Sequence, residues 1–196
     1  MYPYKRIPAN RGSVQEIEGK YYSPRLKKII PYYLVLPTAI EEGQRIPVVY
    51  FLHGRNGTRH MFRDLGGPGV LERYLGTNRS PFAVVGLTGA FSVNGSNYNT
   101  YWVDSARDAH QPWATIITKE MIPWIEQQHN IGGAANLRAI AGISMGSHGA
   151  YQLALNSPGT FKCVAGHSLV VRDYASMTSE FPGLFGNRQQ FEKRDP

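Results

Sequence analysis

The sequence holds one cysteine, Cys163, among 196 residues. A lone thiol excludes an intramolecular disulfide and any metal site built from clustered cysteines. Long apolar runs are also missing. Runs such as Pro47–Leu52 and Phe82–Leu87 fall far short of the ~20 residues that a membrane-spanning helix needs. The N-terminal stretch MYPYKRIPANRGSVQE has basic residues but no apolar segment of the kind a secretory signal requires. A cytoplasmic protein is therefore expected, and the N-x-S/T sequons at Asn56, Asn78 and Asn94 carry little meaning without a secretory route. Charged residues make up 18%, below the usual ~25%, and no repeat, low-complexity tract or Gly/Ser linker divides the chain. One domain over residues 1–196 is expected. No cluster shows metal-ligand spacing, and Leu65-Gly66-Gly67-Pro68-Gly69 lacks the strand–loop–helix setting of a phosphate-binding loop. Neither a metal nor another cofactor is expected.

What is present is loop-forming and aromatic: 21 Gly, 13 Pro and 12% Phe, Trp and Tyr. A chain of this length can bury roughly 70% of its unfolded surface in a single core. The formal net charge is +7, which raises the question of an acidic partner. The basic residues are scattered, however, and the densest group (Arg55, Arg59, His60, Arg63) occupies one short loop. No nucleic-acid partner is expected.

Short β-branched runs alternate with helical periods. Pro47–His53 (PVVYFLH), Phe82–Leu87 (FAVVGL) and Arg138–Ile143 (RAIAGI) are apolar without alternation, as strands buried on both faces of a parallel sheet are. Phe161–Leu169 is a fourth strand of this kind. Lys28–Pro37 (KIIPYYLVLP) reads as a strand near a sheet edge, because Pro31 lacks the N–H a central ladder needs. Trp113, Ile116, Ile117, Met121, Ile122 and Ile125 repeat at helical spacing, with Pro123 expected to kink the helix. A second helix is expected over Met145–Leu155, stopped by Asn156-Ser157-Pro158. The alternation implies an α/β fold with a mostly parallel, doubly wound sheet and helices on both faces.

Gly142-Ile143-Ser144-Met145-Gly146 fits G-x-S-x-G and lies between a predicted strand and a predicted helix. That setting is a nucleophile elbow: a strained turn that raises a serine Oγ above the sheet edge beside a helix N-terminus. Ser144 is the candidate catalytic nucleophile. His53-Gly54-Arg55-Asn56-Gly57 follows an upstream strand. In α/β-hydrolases this loop and the residue after the nucleophile each supply a backbone N–H to the oxyanion hole. Those donors are expected to be Arg55 N–H and Met145 N–H.

At these residues the chain resembles the esterase D and mycolyltransferase-like esterases, a branch of the α/β-hydrolase superfamily that includes feruloyl esterases and S-formylglutathione hydrolases. The matching stretches are PVVYFLHG, YWVDS followed by WATIITKEMIPWIE, and RAIAGISMGSHGAYQLALNSPGTFKCVAGHS. The resemblance runs from about residue 14 to the end, and Ser147 stands where many members carry glycine. It implies hydrolysis of a carboxylic ester or thioester, small or glycan-linked, or acyl transfer, through an acyl-enzyme on Ser144. It also places His148 in packing and gives Asp104 the place of a family aspartate.

A serine nucleophile needs a base and an orienting acid, in this fold in the chain order Ser, acid, His. After Ser144 come the acids Asp173, Glu180, Glu192 and Asp195 and the histidines His148 and His167, and no histidine follows any of the acids. The chain is therefore expected to correspond to the first two-thirds of an esterase, with the triad acid and base on strands beyond Pro196. A sheet cut there would expose an apolar strand edge, which predicts homo-oligomer formation or poor solubility. The missing pair also leaves open a non-catalytic, hydrolase-like binding protein. Residues expected to line a substrate cleft are His53, Tyr101, Trp102 and His167, with Tyr98 a further stacking face. Cys163 is expected to be a packed, inert thiol, and His60, His110 and His129 to be solvated.

Overall fold

The computed structural model describes residues 12–77, 79–93, 96–97 and 99–193, with the side chains of residues 92–98 left aside. Asn78, Asn94, Tyr98 and Asp195 therefore lie outside the described residues. In chain order the elements are β1 (Val14–Ser23), β2 (Lys28–Pro37), β3 (Val48–Leu52), α1 (Met61–Asp64), α2 (Gly67–Leu75) and β4 (Ala83–Leu87). A minimal hairpin follows, β5 (Ser92–Val93) and β6 (Ser96–Asn97). Next come α3 (Trp113–Thr115), a π-helical turn (Ile116–Met121) and α4 (Ile122–His129). A 3-10 turn (Ala135–Leu137) leads into β7 (Arg138–Ile143), α5 (Met145–Asn156), β8 (Cys163–His167), α6 (Tyr174–Glu180) and α7 (Arg188–Glu192).

Six strands form one mixed sheet in the order β1-β2-β4-β3-β7-β8. The parallel part anticipated from the apolar runs is β4, β3, β7 and β8. The other part is antiparallel, β1 to β2 and β2 to β4. β1 has no long apolar run, yet its sequence alternates: Gly19, Tyr21 and Ser23 are buried while Glu18, Lys20 and Tyr22 are exposed. That period of two belongs to a strand with one wet face. β1 takes the edge, so β2 is the second strand and not the edge itself. Pro31 is tolerated because β2 meets β4 only at Tyr33–Val35, leaving the proline outside that ladder.

Alternation along β2 divides the core between the two faces. Tyr32, Leu34 and Leu36 face the large core built from α3 through α4, α5 and Trp102. Tyr33 and Val35 face a smaller one against Leu71 and Leu75 of α2. Pro123 does not break the central helix. The chain relaxes into the π-helical turn before it and restarts as α4 with the proline in its first turn, where no N–H is missed. Asp104 accepts hydrogen bonds from Thr115 N–H (2.9 Å) and Oγ1 (2.6 Å), fixing the start of this helical run.

Two buried polar groups join layers. Glu126, on α4, is 2% exposed. Its carboxylate accepts two hydrogen bonds from Arg138 at 2.6 and 2.7 Å and one from Tyr50 at 3.2 Å, tying α4 to β7 and β3. His129 is half-buried and not solvated as expected. Its Nε2 lies 2.6 Å from the Tyr32 hydroxyl, and burial lowers its pKa to about 4.

Removing one member of a buried pair strands the other's charge, which costs about 3–5 kcal/mol. Arg138→Met is therefore expected to lower unfolding stability by about that amount, read as a shift in the urea midpoint at pH 7. His129 binds a proton in the unfolded chain near pH 6.5 but not in the fold until about pH 4. Stability must therefore fall as pH drops across that window. His129→Gln should flatten this slope in urea titrations from pH 7 to pH 4.5, and an unchanged slope would exclude the imidazole as its source.

Candidate active site

The site is built where three backbone segments almost touch. β7 ends at Ile143 and α5 begins at Met145, leaving Ser144 alone to turn the chain, with φ 55° and ψ −119°. A β-carbon-bearing residue at positive φ is strained. The strain is held from three sides. Ser144 N–H donates to the His167 carbonyl at 2.9 Å, and its carbonyl accepts from Ser147 N–H at 2.9 Å and His148 N–H at 3.2 Å. The flanking glycines are demanded by space. A Cβ on Gly142 would collide with the Gly146 carbonyl, and one on Gly146 with the Leu52 carbonyl at the end of β3.

The loop after β3 lies against this turn. A Cβ placed on Gly54 would stand 3.4 Å from Ser144 Cβ and 3.2 Å from the Ile143 carbonyl. The Gly54 carbonyl accepts from Gly57 N–H at 3.0 Å and from His53 Nδ1 at 2.8 Å. An N–H and a C=O of one peptide point in opposite directions. Holding the Gly54 carbonyl on one side therefore turns Arg55 N–H to the other. Among the described residues neither Arg55 N–H nor Met145 N–H has a hydrogen-bond acceptor. The Met145 N–H also opens the 12-residue helix α5, whose N-terminal end favours negative charge.

The other expected residues divide between the site and the core. His53 is 6% exposed and stacks edge-on against Trp102 with ring centroids 4.8 Å apart. Burial, partly offset by the hydrogen bond to Gly54, lowers its pKa, so the ring is neutral at pH 7. Because a carbonyl can only accept, the proton sits on Nδ1. His53 also borders a cavity of about 190 Å³ with Asn56, Thr88, Phe91 and Asn99.

Tyr101 and Trp102, expected as stacking faces, are core residues instead. Trp102 is 0% exposed, and its indole fills the space left by Gly89 and Gly149. The Tyr101 ring meets His148, Phe181 and Phe185 at 4.8–5.9 Å. Both hold positive φ, 50° and 62°, which lets two adjacent rings turn inward.

His167 is exposed at the end of β8, with Nδ1 3.0 Å from Ser168 Oγ. It serves the elbow through its carbonyl. His148 is 1% exposed and packed among rings. No imidazole or carboxylate among the described residues hydrogen-bonds Ser144 Oγ. Cys163 is exposed, contrary to the packed thiol expected, because β8 is the last strand of the sheet among the described residues and is mostly solvent-facing.

One group at the site had no sequence signal. The Arg55 side chain forms an ion pair with Glu180, which also pairs with Arg172. The Arg55 guanidinium lies over the Phe181 ring at 5.1 Å. These contacts cross 125 positions of sequence, and no local pattern announces them.

The esterase family model described as "Putative esterase" matches residues 23–196. The esterase Rv1288 of Mycobacterium tuberculosis is 30% identical over 126 residues, covering 64% of this chain and 26% of that protein. The chain thus spans about a quarter of the length of that relative. Among solved structures, an S-formylglutathione hydrolase from Agrobacterium tumefaciens superposes with a TM-score of 0.75 at 20% identity, over 93% of this chain and 69% of that one. A ferulic acid esterase superposes with a TM-score of 0.71 at 23% identity, over 80% and 59%. These likenesses show the α/β-hydrolase fold. With the family match running through both the loop after β3 and the Ser144 turn, the chain belongs to this esterase family.

Proposed function

We propose that the chain carries the nucleophile and oxyanion hole of a serine esterase. The observation that supports this most is Ser144, held at φ 55° on the strand-to-helix turn, beside two backbone N–H groups that have no acceptor. A strained serine needs upkeep from several hydrogen bonds, and a reactive Oγ gives that strain a use.

In the proposed reaction Ser144 Oγ attacks the carbonyl carbon of an ester or thioester, and its proton passes to a base. The carbonyl electron pair moves to oxygen, where Arg55 N–H and Met145 N–H stabilise it. Each such donor contributes about 10²–10³ in rate. Collapse breaks the bond to the alcohol or thiol, which leaves with a proton. Water then cleaves the acyl–serine bond and releases the acid. The substrate is a small-molecule or glycan-linked ester.

His53 does not supply the base in this scheme: its Nδ1 is committed to Gly54. His148 is walled in by Tyr101 and Phe185. An elbow and oxyanion hole without a full triad still accelerate acyl transfer by roughly 10³–10⁴ over water. Measurable but slow turnover is therefore the expectation for the chain alone.

The experiment is reaction with a fluorophosphonate probe followed by intact mass, alongside hydrolysis of p-nitrophenyl butyrate. The native chain is expected to gain one adduct, mapped to Ser144. Ser144→Ala should gain none, while its hydrolysis falls only modestly, because turnover without a full triad already rests on the oxyanion hole and binding. A folded native chain that stays unlabelled, or a Ser144→Ala variant that labels equally, would shift the reading to a non-catalytic binding protein.

A further inference from the structure

The oxyanion loop is held from its carbonyl side by His53 and Gly57, as described above. Its opposite flank carries a different restraint. Arg55 is exposed, and an unrestrained arginine on a glycine-flanked loop would sample many rotamers. Here one edge of its guanidinium meets Glu180 Oε1, and its face covers the Phe181 ring at 5.1 Å. Glu180 is the last residue of α6, and Phe181 follows directly.

That end of α6 is itself anchored. Phe181 N–H donates to the Met177 carbonyl at 2.8 Å, and the Phe181 ring packs on the buried Tyr101 ring at 4.8 Å. Arg107 Nη1 donates to the Pro182 carbonyl at 3.0 Å, and Ala106 N–H to the Leu184 carbonyl at 2.9 Å. The carboxylate that Arg55 grips therefore stands on a fixed platform, while the loop bearing Arg55 contains Gly54, Gly57 and Asn56 at φ 58°.

We infer that Glu180 is a positioning residue for the oxyanion hole: through its ion pair with the Arg55 side chain it holds the Gly54–Arg55 peptide in the orientation that presents Arg55 N–H next to Ser144. This rests on the serine-esterase reading of that site. Arg172 is the second guanidinium on the same carboxylate, bound through Oε2 while Arg55 takes Oε1. The pair is solvent-exposed, so salt must weaken it: the screening length shrinks from about 10 Å at 0.1 M to about 3 Å at 1 M. Exposed pairs are modest, and the expected effect of losing this one is about threefold in rate.

The test uses the full chain and the same fluorophosphonate probe, with labelling at Ser144 resolved into a maximal rate and an apparent affinity. At low salt Glu180→Gln is expected to lower the maximal rate about threefold with affinity unchanged. In 1 M NaCl the native chain should fall to the variant's rate, while the variant itself hardly responds. Arg172→Gln, which leaves Glu180 to Arg55 alone, should label at the native rate. Arg55→Met keeps the backbone N–H, and the Arg55→Met/Glu180→Gln double variant should be no slower than either single variant. A Glu180→Gln chain that labels as fast as native, an equal loss in Arg172→Gln, or additive losses in the double variant would each overturn the inference. Amide hydrogen exchange over residues 54–57 reads the restraint without chemistry. It should speed up about threefold in Glu180→Gln, and unchanged exchange would overturn the positioning role even in a chain that does not label. A native chain that fails to label, with exchange responding as expected, would instead count against Ser144 as nucleophile.

Discussion

The structure depends on a single crowded point where the ends of β3 and β7 and the start of α5 come within backbone contact. Gly146 fits beneath the Leu52 carbonyl, and Gly142 beneath the Gly146 carbonyl, with no room for a Cβ at either. Everything else at the site follows from that closeness. It forces Ser144 to make the whole reversal alone, at positive φ. It also brings the loop after β3 against the serine, and sets the α5 N-terminus facing both. The parallel register makes the approach possible, since Leu52 of β3 stands opposite Gly142 of β7.

A turn under such strain persists only where its surroundings over-determine it. The polar groups next to it do this by holding backbone rather than by contacting a reacting atom. The His167 carbonyl holds the serine N–H, and His53 and Gly57 hold the Gly54 carbonyl. The buried Glu126–Arg138 pair holds the start of the strand that delivers the elbow. His53 in turn leans on Trp102, whose fully buried indole packs on Gly149 of α5. The two aromatic residues at positive φ, Tyr101 and Trp102, act as a wedge between the loop after β3 and α5.

Sequence patterns made the parallel half of this fold legible because its strands read as short, largely apolar runs, although β8 proves mostly solvent-facing. β4, by contrast, is buried at all five positions. β7 and α5 were legible to within a residue because the glycines and the serine leave few other foldings. β1 was missed although its alternation is clear, because four of its ten residues are charged or glycine. Gly19 there makes room for the Tyr32 ring rather than for a turn. The aromatic loop was misjudged for a related reason: rings at Tyr101 and Trp102 suit a stacking surface and a core equally well. The small partners Gly89 and Gly149 that settle the matter lie 13 and 47 positions from Trp102. Glu180 was not legible at all, since an exposed acid at a helix end is unremarkable until its partner is seen.

The place of β8 gives this economy a further consequence. It is the edge of the sheet among the described residues, and it is solvent-facing along most of its length. Here its last residue supplies the carbonyl that holds Ser144 N–H, and Gly166 one position earlier gives Ser147 of α5 the room it needs. A strand with one neighbour in the sheet thus restrains a residue held at positive φ. Any contact that orders β8 must also sharpen the elbow, and any fraying of its end releases one of the three hydrogen bonds that keep Ser144 at positive φ. The Ser144 turn is joined in this way to the end of β8 through one backbone hydrogen bond.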